Sequence, residues 1–407
     1  MWRILKQIAF SVRAVVSGFG FSRDYKPCIL DIHIGIAWIT CQYFMSRNLK
    51  DRPDPSGIPT LVHINYFILG LTDVLKGGEN TFNVDFYFDT EWTDERLIGR
   101  KEQDLEWNKI WQPDVEITNA QSCDKDFENY ILDSATGNIT YQTRFKATCT
   151  SNHMNLQEFP FDIQVLDVNF ETSSHTKDEV DLRMKRNTGS NVESKLTNEG
   201  GLAEWEFTSL REVEHDRMLE FDQSVYSTVE IQIVVQRLSG YYVKKIVVTI
   251  LLIVAMSFSV FWMKPDDVGD RVGISATMSL TTIAFNFEIQ GSLPRVNYLT
   301  HMDKFLTFCF GLVITTVLEN VLVYEMDKKG YSDTAKVVDL YSFFGAVSFL
   351  TMATLWFLTR SSSWRDIADK NKDGVLDASE VLAFQERNFG KKKGMELKRS
   401  QSWKKKV

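Results

Sequence analysis

The chain has 407 residues, 44% of them hydrophobic and 25% charged, and its formal net charge at pH 7 is −8. This length accommodates two or three domains, and the surplus of acids argues against nucleic acid as a partner. Its mean hydropathy of −0.19 excludes a protein that lies wholly within a membrane. The average conceals a polar region before Arg237 and an apolar region after it.

The first 50 residues are predicted to be a targeting signal or a membrane anchor. Basic residues occur at positions 3, 6, 13, 23 and 26 with no acid before Asp24, and an apolar run follows at 28–45. Such a segment is typical of a signal region or an uncleaved anchor. Because acid-free amphipathic leaders also direct import into organelles, we expect the plasma membrane and keep an organelle membrane as the alternative.

Residues 51–237 are predicted to form an extracellular β-sandwich of the immunoglobulin-like kind. Apolar and polar residues alternate at period two in 81–88 and 226–234, and turn-forming glycine and asparagine residues separate the candidate strands. Many short strands with frequent turns indicate two packed sheets.

Residues 238–360 are predicted to form a four-helix transmembrane bundle. A membrane span needs roughly 20 residues with few charges. Four stretches have this length and follow one another with short loops: 246–263, 265–294, 305–323 and 337–358.

The short loops between these spans indicate which side faces the cytosol. The linker 326–336 carries three lysines, and Lys264 and Arg271 are expected on the other short loop of the same side. The positive-inside rule therefore places both loops in the cytosol and the β-sandwich outside. An even number of spans returns the C-terminus to the outside as well.

The span 265–294 is more polar than lipid tolerates, because hydroxyl side chains occur at 275, 277, 279, 281 and 282. Steps of three and four residues align a small or hydroxylated face on a helix. We predict that this face lines water and that acids at its start, Asp266, Asp267 and Asp270, concentrate cations. Two other interpretations stay open: the acids stabilise the helix dipole, and the hydroxyls join helices. The face consists of Gly273, Thr277, Leu280, Ala284, Phe287 or Glu288, and Gly291.

Residues 361–390 are predicted to form an EF-hand, since 369–380 reads DKNKDGVLDASE. Oxygen ligands occupy the first, third, fifth, ninth and twelfth places, a glycine at the sixth permits the sharp turn, and the seventh lends its carbonyl. Predicted helices at 362–368 and 378–388 flank this loop, and Leu376, Val381, Leu382 and Phe384 form their apolar face. The basic tail 391–407 is predicted to be solvated. The predicted Ca²⁺ ligands are Asp369, Asn371, Asp373, Val375, Asp377 and Glu380.

Several short motifs occur in a recognisable order over about 59–358. They are WTD at 92–94, WQPD at 111–114, FPFD at 159–162, Arg237 before Tyr241-Tyr242, GDRV at 269–272 and SLPRV at 292–296. In this order the chain resembles the pentameric ligand-gated ion channels, the Cys-loop receptor superfamily. The resemblance implies a homopentamer, or a heteropentamer with related subunits, in a lipid bilayer. It also implies a small-molecule or ionic agonist that binds between subunits of the β-sandwich domain.

The resemblance assigns roles along the second span. Asp270 corresponds to the intracellular selectivity ring, Thr277 to a pore hydroxyl and Leu280 to the hydrophobic ring of the closed gate. Anion-selective relatives usually have a Pro-Ala pair where this chain has Gly269-Asp270, so we expect cation selectivity. The expected pore residues are Asp270, Gly273, Thr277, Leu280, Ala284 and Glu288.

The resemblance also implies a device that couples ligand binding to the pore. Asn152 and Leu166 replace the two cysteines of the family's signature loop, as in prokaryotic and some protist members. Cys123 and Cys149 are predicted either to pair or to remain free buried thiols. The FPFD turn is expected to press on the linker after the pore helix, and Arg237 is expected to pair with an acid of the first hairpin. A solvated loop is the alternative for these charges. The expected coupling residues are Asp73, Glu79, Phe159, Pro160, Asp162, Arg237 and Arg295.

The agonist site is expected where the family has an aromatic box for amines. The box is only partly aromatic here. The hairpin 214–223 is acidic, which either favours a cation, a proton or a divalent ion as ligand or marks a solvated edge. The corresponding residues are Tyr87, Thr118, Ser173, His175, Phe221 and Tyr226.

Two other classes of protein compete with the channel. One is a membrane-anchored Ca²⁺-binding receptor or adhesion module without a pore, against which the hydroxylated face and Asp270 argue. The other is an enzyme. The sequence has no HExxH, GxSxG or phosphate-binding GxxxxGK motif, and His153 near Cys149 is an isolated pair. We therefore expect no catalytic activity.

Overall fold

The computed structural model describes residues 48–53, 57–75, 80–151, 153–185, 204–219, 223–290, 296–369 and 376–389. The targeting or anchor segment predicted for residues 1–50 and the basic tail predicted for 391–407 lie outside these ranges, except for 48–50.

Two facing sheets form the first domain, as the alternating pattern predicted. One sheet has the strand order β4-β5-β2-β1-β7 and the other the order β3-β6-β9-β8. Neighbouring strands are antiparallel except β1 and β7, which are parallel. The strands are β1 Thr60–Thr72, β2 Thr81–Thr93, β3 Val115–Ile117, β4 Ala120–Asp133, β5 Asn138–Thr150, β6 Ile163–Thr172, β7 Val180–Met184, β8 Trp205–Met218 and β9 Val225–Arg237.

Aromatic side chains from both sheets fill the space between them. Successive strand residues point to opposite faces, so the alternating apolar residues of each strand share the inner face. Phe86 and Phe88 of β2 meet Phe170 of β6, and the rings of Phe88 and Phe170 are stacked with centroids 4.8 Å apart. All three are at most 2% exposed. This contact joins the two sheets at the centre of the core.

Four long helices follow the last strand: α1 Gly240–Trp262, α2 Val268–Gln290, α3 His301–Lys328 and α4 Ser332–Ala368. Helix α3 packs against the other three. It begins with a capping box, in which Thr300 accepts a hydrogen bond from the backbone of Asp303 and the Asp303 carboxylate accepts one from the backbone of Thr300.

Three of these helical stretches are long and apolar enough to cross a membrane, namely Gly240–Trp262, His301–Lys328 and Ser332–Thr359. Helix α2 has the length but is not among these three stretches, and it contains five serines and threonines together with Asn286 and Glu288. The span that the sequence marked as too polar for lipid is therefore the one that differs from the other three.

A buried polar network joins α2 to α3 and α4. The Arg271 side chain is fully buried, its Nη1 donates to Asp339 Oδ2 at 3.2 Å, and its Nε donates to Asn320 Oδ1 at 2.9 Å. Asn320 Nδ2 in turn donates to Ser275 Oγ at 2.9 Å. The prediction that Arg271 lies on a short loop is wrong. It lies within α2, where acid and amide side chains distant in the sequence hold it among the helices. Lys264, which does precede α2, is exposed.

The chain after α4 turns back onto the β-sandwich. Helix α5, Ala378–Phe389, buries Val381 and Phe384 against Ile163 and Val165 of β6 and Val234 of β9. Ser209 Oγ donates to the Leu376 carbonyl at 2.7 Å. The C-terminal segment therefore lies on the same side as the sandwich, in agreement with the predicted topology.

The helix predicted for 378–388 is confirmed as α5, and its predicted apolar face is the one that meets the sheet. The helix predicted for 362–368 is also present, as the end of α4, which continues through this segment without a break. One helix thus connects the last candidate span directly to the predicted calcium loop.

Candidate functional site

All six predicted pore residues lie on one exposed face of α2. The opposite face of the helix is buried against its neighbours and includes Arg271, Ser275, Ser279 and Thr282. Leu280 is 68% exposed, although it is a large apolar side chain in the middle of the helix. The exposed residues are Asp270, Gly273, Thr277, Leu280, Ala284 and Glu288.

The hydroxyl groups of α2 divide between two roles. Thr277 Oγ1 donates to the Gly273 carbonyl at 2.8 Å on the exposed face, so its donor is satisfied within the helix and its lone pairs remain for water. On the buried face Ser275 accepts hydrogen bonds from Asn320 and Thr316 of α3. Hydroxyls that join helices and hydroxyls that face outward therefore coexist on one helix.

Asp270 lies in the first turn of α2 and is exposed, as are Asp266 and Asp267 just before it. No ion pair of Asp270 occurs among the residues that the structure describes. The adjacent Arg271 points the other way, and its charge is matched inside the helices by Asp339 and Glu319. The exposed start of the helix is therefore negative.

Arg237, at the end of β9, forms a buried ion pair at the boundary between the sheets and the helices. Its Nε lies 2.8 Å from Asp162 Oδ1, and the two side chains are 3% and 1% exposed. The ring of Trp205 lies 4.0 Å from the guanidinium carbon and covers it. The partner of Arg237 is thus the acid of the FPFD turn.

The predicted pairing of Arg237 with a hairpin acid is wrong, and so is the alternative of solvated loop charges for this residue. Asp73 of the first hairpin instead accepts a hydrogen bond from Asn83 at 3.1 Å. Two other predicted coupling residues, Glu79 and Arg295, lie outside the described residues.

The FPFD turn is bonded directly to the start of α3. The Gln157 carbonyl accepts from the His301 amide at 2.7 Å, and the Phe159 carbonyl accepts from the Met302 amide at 3.1 Å. The Phe159 ring also packs edge-on against Tyr242 of α1, with centroids 4.9 Å apart. Phe159 and Asp162 are buried and Pro160 lies in the same turn. A movement of this turn is therefore transmitted to both α1 and α3.

The predicted agonist residues fall on different sheets. Tyr87 is 40% exposed on β2, beside the Phe127 ring and the Arg144 guanidinium. Thr118 and Ser173 are exposed next to the other sheet, where Thr118 Oγ1 donates to the Asn169 carbonyl. Tyr226 is half-buried at the start of β9, and Phe221 lies outside the described residues. One chain alone therefore does not bring Tyr87 together with the others.

His175 is held in place by its neighbours. Its Nε2 accepts a hydrogen bond from the Trp111 indole at 3.2 Å, and its Nδ1 lies 3.4 Å from Glu179. The accepting Nε2 requires the neutral imidazole to carry its proton on Nδ1. His175 is therefore held against the indole ring of Trp111.

The predicted EF-hand is described in part. Of its six predicted ligands, Asp369, Asp377 and Glu380 belong to the described residues, and Asn371, Asp373 and Val375 lie outside them. Asp377 lies 3.7 Å from Arg211 of β8 and accepts a hydrogen bond from Ser379 Oγ at 2.6 Å. The ninth and twelfth loop positions thus lie beside the four-stranded sheet. The donor set consists of oxygen atoms, which suits Ca²⁺.

Cys123 and Cys149 are free thiols on neighbouring strands β4 and β5. Cys123 is exposed and Cys149 is buried, and burial raises the pKa of the Cys149 thiol to about 12. Of the two predicted alternatives, the structure has free thiols, although only one of them is buried. Leu166, in place of a signature-loop cysteine, is fully buried in the core, and Asn152 lies outside the described residues.

The comparisons with known proteins agree with this architecture. The family model "Neurotransmitter-gated ion-channel ligand binding domain" matches residues 41–239, and "Neurotransmitter-gated ion-channel transmembrane region" matches 247–339. The mouse (Mus musculus) gamma-aminobutyric acid receptor subunit gamma-3 is 27% identical over 282 residues, which cover 66% of this chain and 58% of the relative. The chicken (Gallus gallus) subunit gamma-4 is 26% identical over 284 residues, 66% of this chain and 60% of the relative. The chain thus spans less than two thirds of the length of these relatives.

The first family match coincides with the β-sandwich, and the second extends from α1 into α4. Together they cover more than half of the 407 residues, in the order in which the motifs of the sequence occur. The chain belongs to the family of neurotransmitter-gated ion channels.

Proposed function

We propose that this chain is one subunit of a pentameric ligand-gated ion channel whose pore is lined by α2. One observation carries the proposal: α2 buries Arg271 and Ser275 against its own chain and leaves the small, hydroxylated and acidic face uncovered. Copies arranged around an axis would turn this face to shared water. The family is one of channels and not of enzymes.

The pore is proposed to select cations. Five copies of Asp270 would form a ring of carboxylates at the inner end of α2, and such rings favour cations. Arg271 does not offset this ring, because its charge is paired with Asp339 within the subunit. An anion-selective pore is the competing outcome, and the reversal potential decides between them.

The agonist is proposed to bind between subunits. Tyr87 belongs to one sheet, Tyr226 belongs to the other, and Thr118 and Ser173 lie next to that second sheet, so a site with all four needs two neighbouring copies. Because the curated relatives are named for gamma-aminobutyric acid, that compound belongs in the first screen, together with amines, protons and divalent ions.

Calcium is proposed to bind the EF-hand loop and to act on the extracellular domain. The exiting helix α5 packs on β6 and β9 beside the loop that contains Phe159. A change in the loop on Ca²⁺ binding would therefore reach the sheet through α5. Since external calcium is abundant, even a weak site would be occupied if this domain faces the cell exterior. The plasma membrane is the proposed location.

Purified chain in planar bilayers tests the proposal against the alternative of a calcium-binding adhesion module without a pore. We expect single-channel currents that appear on addition of an agonist or proton pulse. The Leu280→Ser variant should conduct without agonist, whereas Leu318→Ser, a similarly exposed leucine on α3, should not. Absence of current in the wild type and in Leu280→Ser would support the module without a pore.

A further inference from the structure

A cluster of side chains that could hold a metal ion lies on the outer face of the four-stranded sheet. It comprises His153 of the loop after β5, Asp167 of β6 and Glu230 of β9. One ligand atom from each residue lies within 4.8 Å of those of the other two. The sequence left His153 as an isolated neighbour of Cys149. Strand register brings the two acids to it, because Asp167 is opposite Gln232 and Asn169 is opposite Glu230.

The two carboxylates are poorly solvated. Asp167 is 1% exposed, and Glu230 on the neighbouring strand is partly buried. Among the described residues neither acid has a lysine or arginine as an ion-pair partner. Charges removed from water are normally paired or coordinate a metal. The basic side chains beside them in the described part of the chain are two histidines, His153 next to Asp167 and His215 next to Glu230, and imidazole is also a metal ligand.

The amides around the cluster provide a second, independent observation. Gln232 is 7% exposed, and its Nε2 donates to Glu230 Oε1 at 2.8 Å. Its Oε1 is buried and has no hydrogen-bond partner among the described residues. Asn169 repeats the arrangement, since its Nδ2 donates to Asp167 Oδ2 at 3.4 Å and its buried Oδ1 has no partner in the described part of the chain. Buried polar atoms are usually satisfied, so these two oxygens are available to a further partner.

We propose that His153, Asp167 and Glu230 bind a divalent transition-metal ion of the zinc type. Imidazole nitrogen and carboxylate oxygen are both zinc ligands in proteins, and the Gln232 amide oxygen or water would complete the coordination. The imidazole distinguishes this site from the EF-hand, whose ligands are oxygen atoms only.

Supporting contacts of the kind found around metal sites are already present. Ser151 Oγ donates to Asp167 Oδ1 at 3.1 Å, which orients that carboxylate. On the exposed rim, His215 Nδ1 lies 3.8 Å from Glu230 Oε2. The three ligands thus come from two strands and one loop.

An ion at this position would restrain a loop that contacts the helices. His153 opens the loop that contains Phe159, so the ion fastens this loop to β6 and β9. The next residues on the same face of these strands, Val165 and Val234, contact α5. Zinc at this site therefore restrains the loop whose carbonyls bond to the start of α3.

Calorimetric titration of the full chain with Zn²⁺ tests the site. The protein is purified in detergent with its affinity tag removed, and excess Ca²⁺ is present to occupy the EF-hand. The wild type should bind one Zn²⁺ per subunit. His153→Gln and Glu230→Gln should each weaken this binding at least about 10-fold. Glu116→Gln, an exposed acid on β3 of the same sheet, should bind as the wild type does.

Thermal unfolding separates loss of the site from loss of the fold. Without metal, His153→Gln should unfold near the wild-type temperature, because His153 is only partly buried. Zn²⁺ should raise the unfolding temperature of the wild type and of Glu116→Gln but not of His153→Gln. Absence of Zn²⁺ binding by the wild type, or equal affinity in His153→Gln and Glu116→Gln, would overturn the proposal. Binding that excess Ca²⁺ abolishes would overturn it as well.

Discussion

Arg237 and Asp162 form a bidentate ion pair where the β-sandwich meets the helices. Nε and Nη2 of the arginine lie 2.8 and 3.2 Å from the two carboxylate oxygens, and both side chains are almost fully buried. Arg237 precedes α1, and Asp162 ends the turn that bonds to α3. The pair therefore fixes the position of that turn relative to the first helix.

Removing one member of this pair should be more damaging than removing both. Asp162→Asn leaves a buried guanidinium unpaired, which costs about 3–5 kcal/mol for such pairs. The double variant Asp162→Leu with Arg237→Met leaves no unpaired charge, so it should be more stable than the single variant. Thermal unfolding of purified protein measures both. Arg183→Gln, in an exposed pair with Glu214, should change stability by at most about 1 kcal/mol. A double variant less stable than Asp162→Asn would show that the pair does not act as a unit.

Leu280→Ser should open the channel without agonist. Leu280 is exposed in the middle of α2, where a ring of leucines would exclude water from a closed pore. A hydroxyl at this position removes the apolar constriction, so we expect a resting current and a shift of activation to lower agonist concentration. Whole-cell recording with the matched Leu318→Ser on α3 provides the comparison. Wild-type closure in Leu280→Ser would place the gate elsewhere.

Asp270→Asn should reduce the preference for cations over anions. The substitution removes one carboxylate per subunit from the start of α2 and leaves the Arg271–Asp339 pair intact. The reversal potential in asymmetric salt should move toward the equilibrium potential of the anion. Asp333→Asn, an exposed acid at the start of α4, serves as the control and should leave the reversal potential unchanged. If the reversal potential is the same in Asp270→Asn and in the wild type, Asp270 does not belong to the selectivity filter.

The features that the sequence predicted correctly depend on local periodicity. Alternation predicted the strands around Phe86 and Phe88, and steps of three and four predicted which face of α2 carries Thr277 and Leu280. These patterns are set by strand and helix geometry, so a short stretch of sequence is enough to recognise them. The turn at Phe159 is likewise a local motif.

The features that it missed depend on partners distant in sequence. The sequence placed Arg271 on a loop because Asp339, which pairs with it, is 68 positions away. Asp162 is 75 positions from Arg237, and an acid of the first hairpin, which is still farther away in the sequence, was no less plausible from charge alone. The docking of α5 on β6 joins residues more than 200 positions apart. Burial of these groups follows from tertiary packing, which periodicity does not encode.

Glu380→Gln should abolish stabilisation by calcium. The twelfth loop position supplies the bidentate carboxylate of an EF-hand, and its loss weakens Ca²⁺ binding strongly. At a Ca²⁺ concentration about 100 times the dissociation constant, the wild type should gain about 2.7 kcal/mol, and Glu380→Gln should gain almost none. Differential scanning calorimetry with and without Ca²⁺ measures this gain. Glu386→Gln, an exposed acid on α5, should respond as the wild type does. A full response in Glu380→Gln would move the calcium effect to another site.

Phe384→Ala should release α5 from the sheet and disconnect calcium from the rest of the domain. Phe384 is 5% exposed against Ile163 and Val165, and truncation of a buried phenylalanine costs about 3–5 kcal/mol. Because one short helix makes this contact, we expect its amide hydrogens to exchange faster while those of β6 stay protected. Arg387→Ala, on the exposed side of the same helix, controls for altered helix propensity. If the packing transmits the calcium signal, Ca²⁺ should still bind Phe384→Ala but should no longer alter exchange in the loop around Phe159. Equal calcium effects there in both variants would show that the signal takes another route.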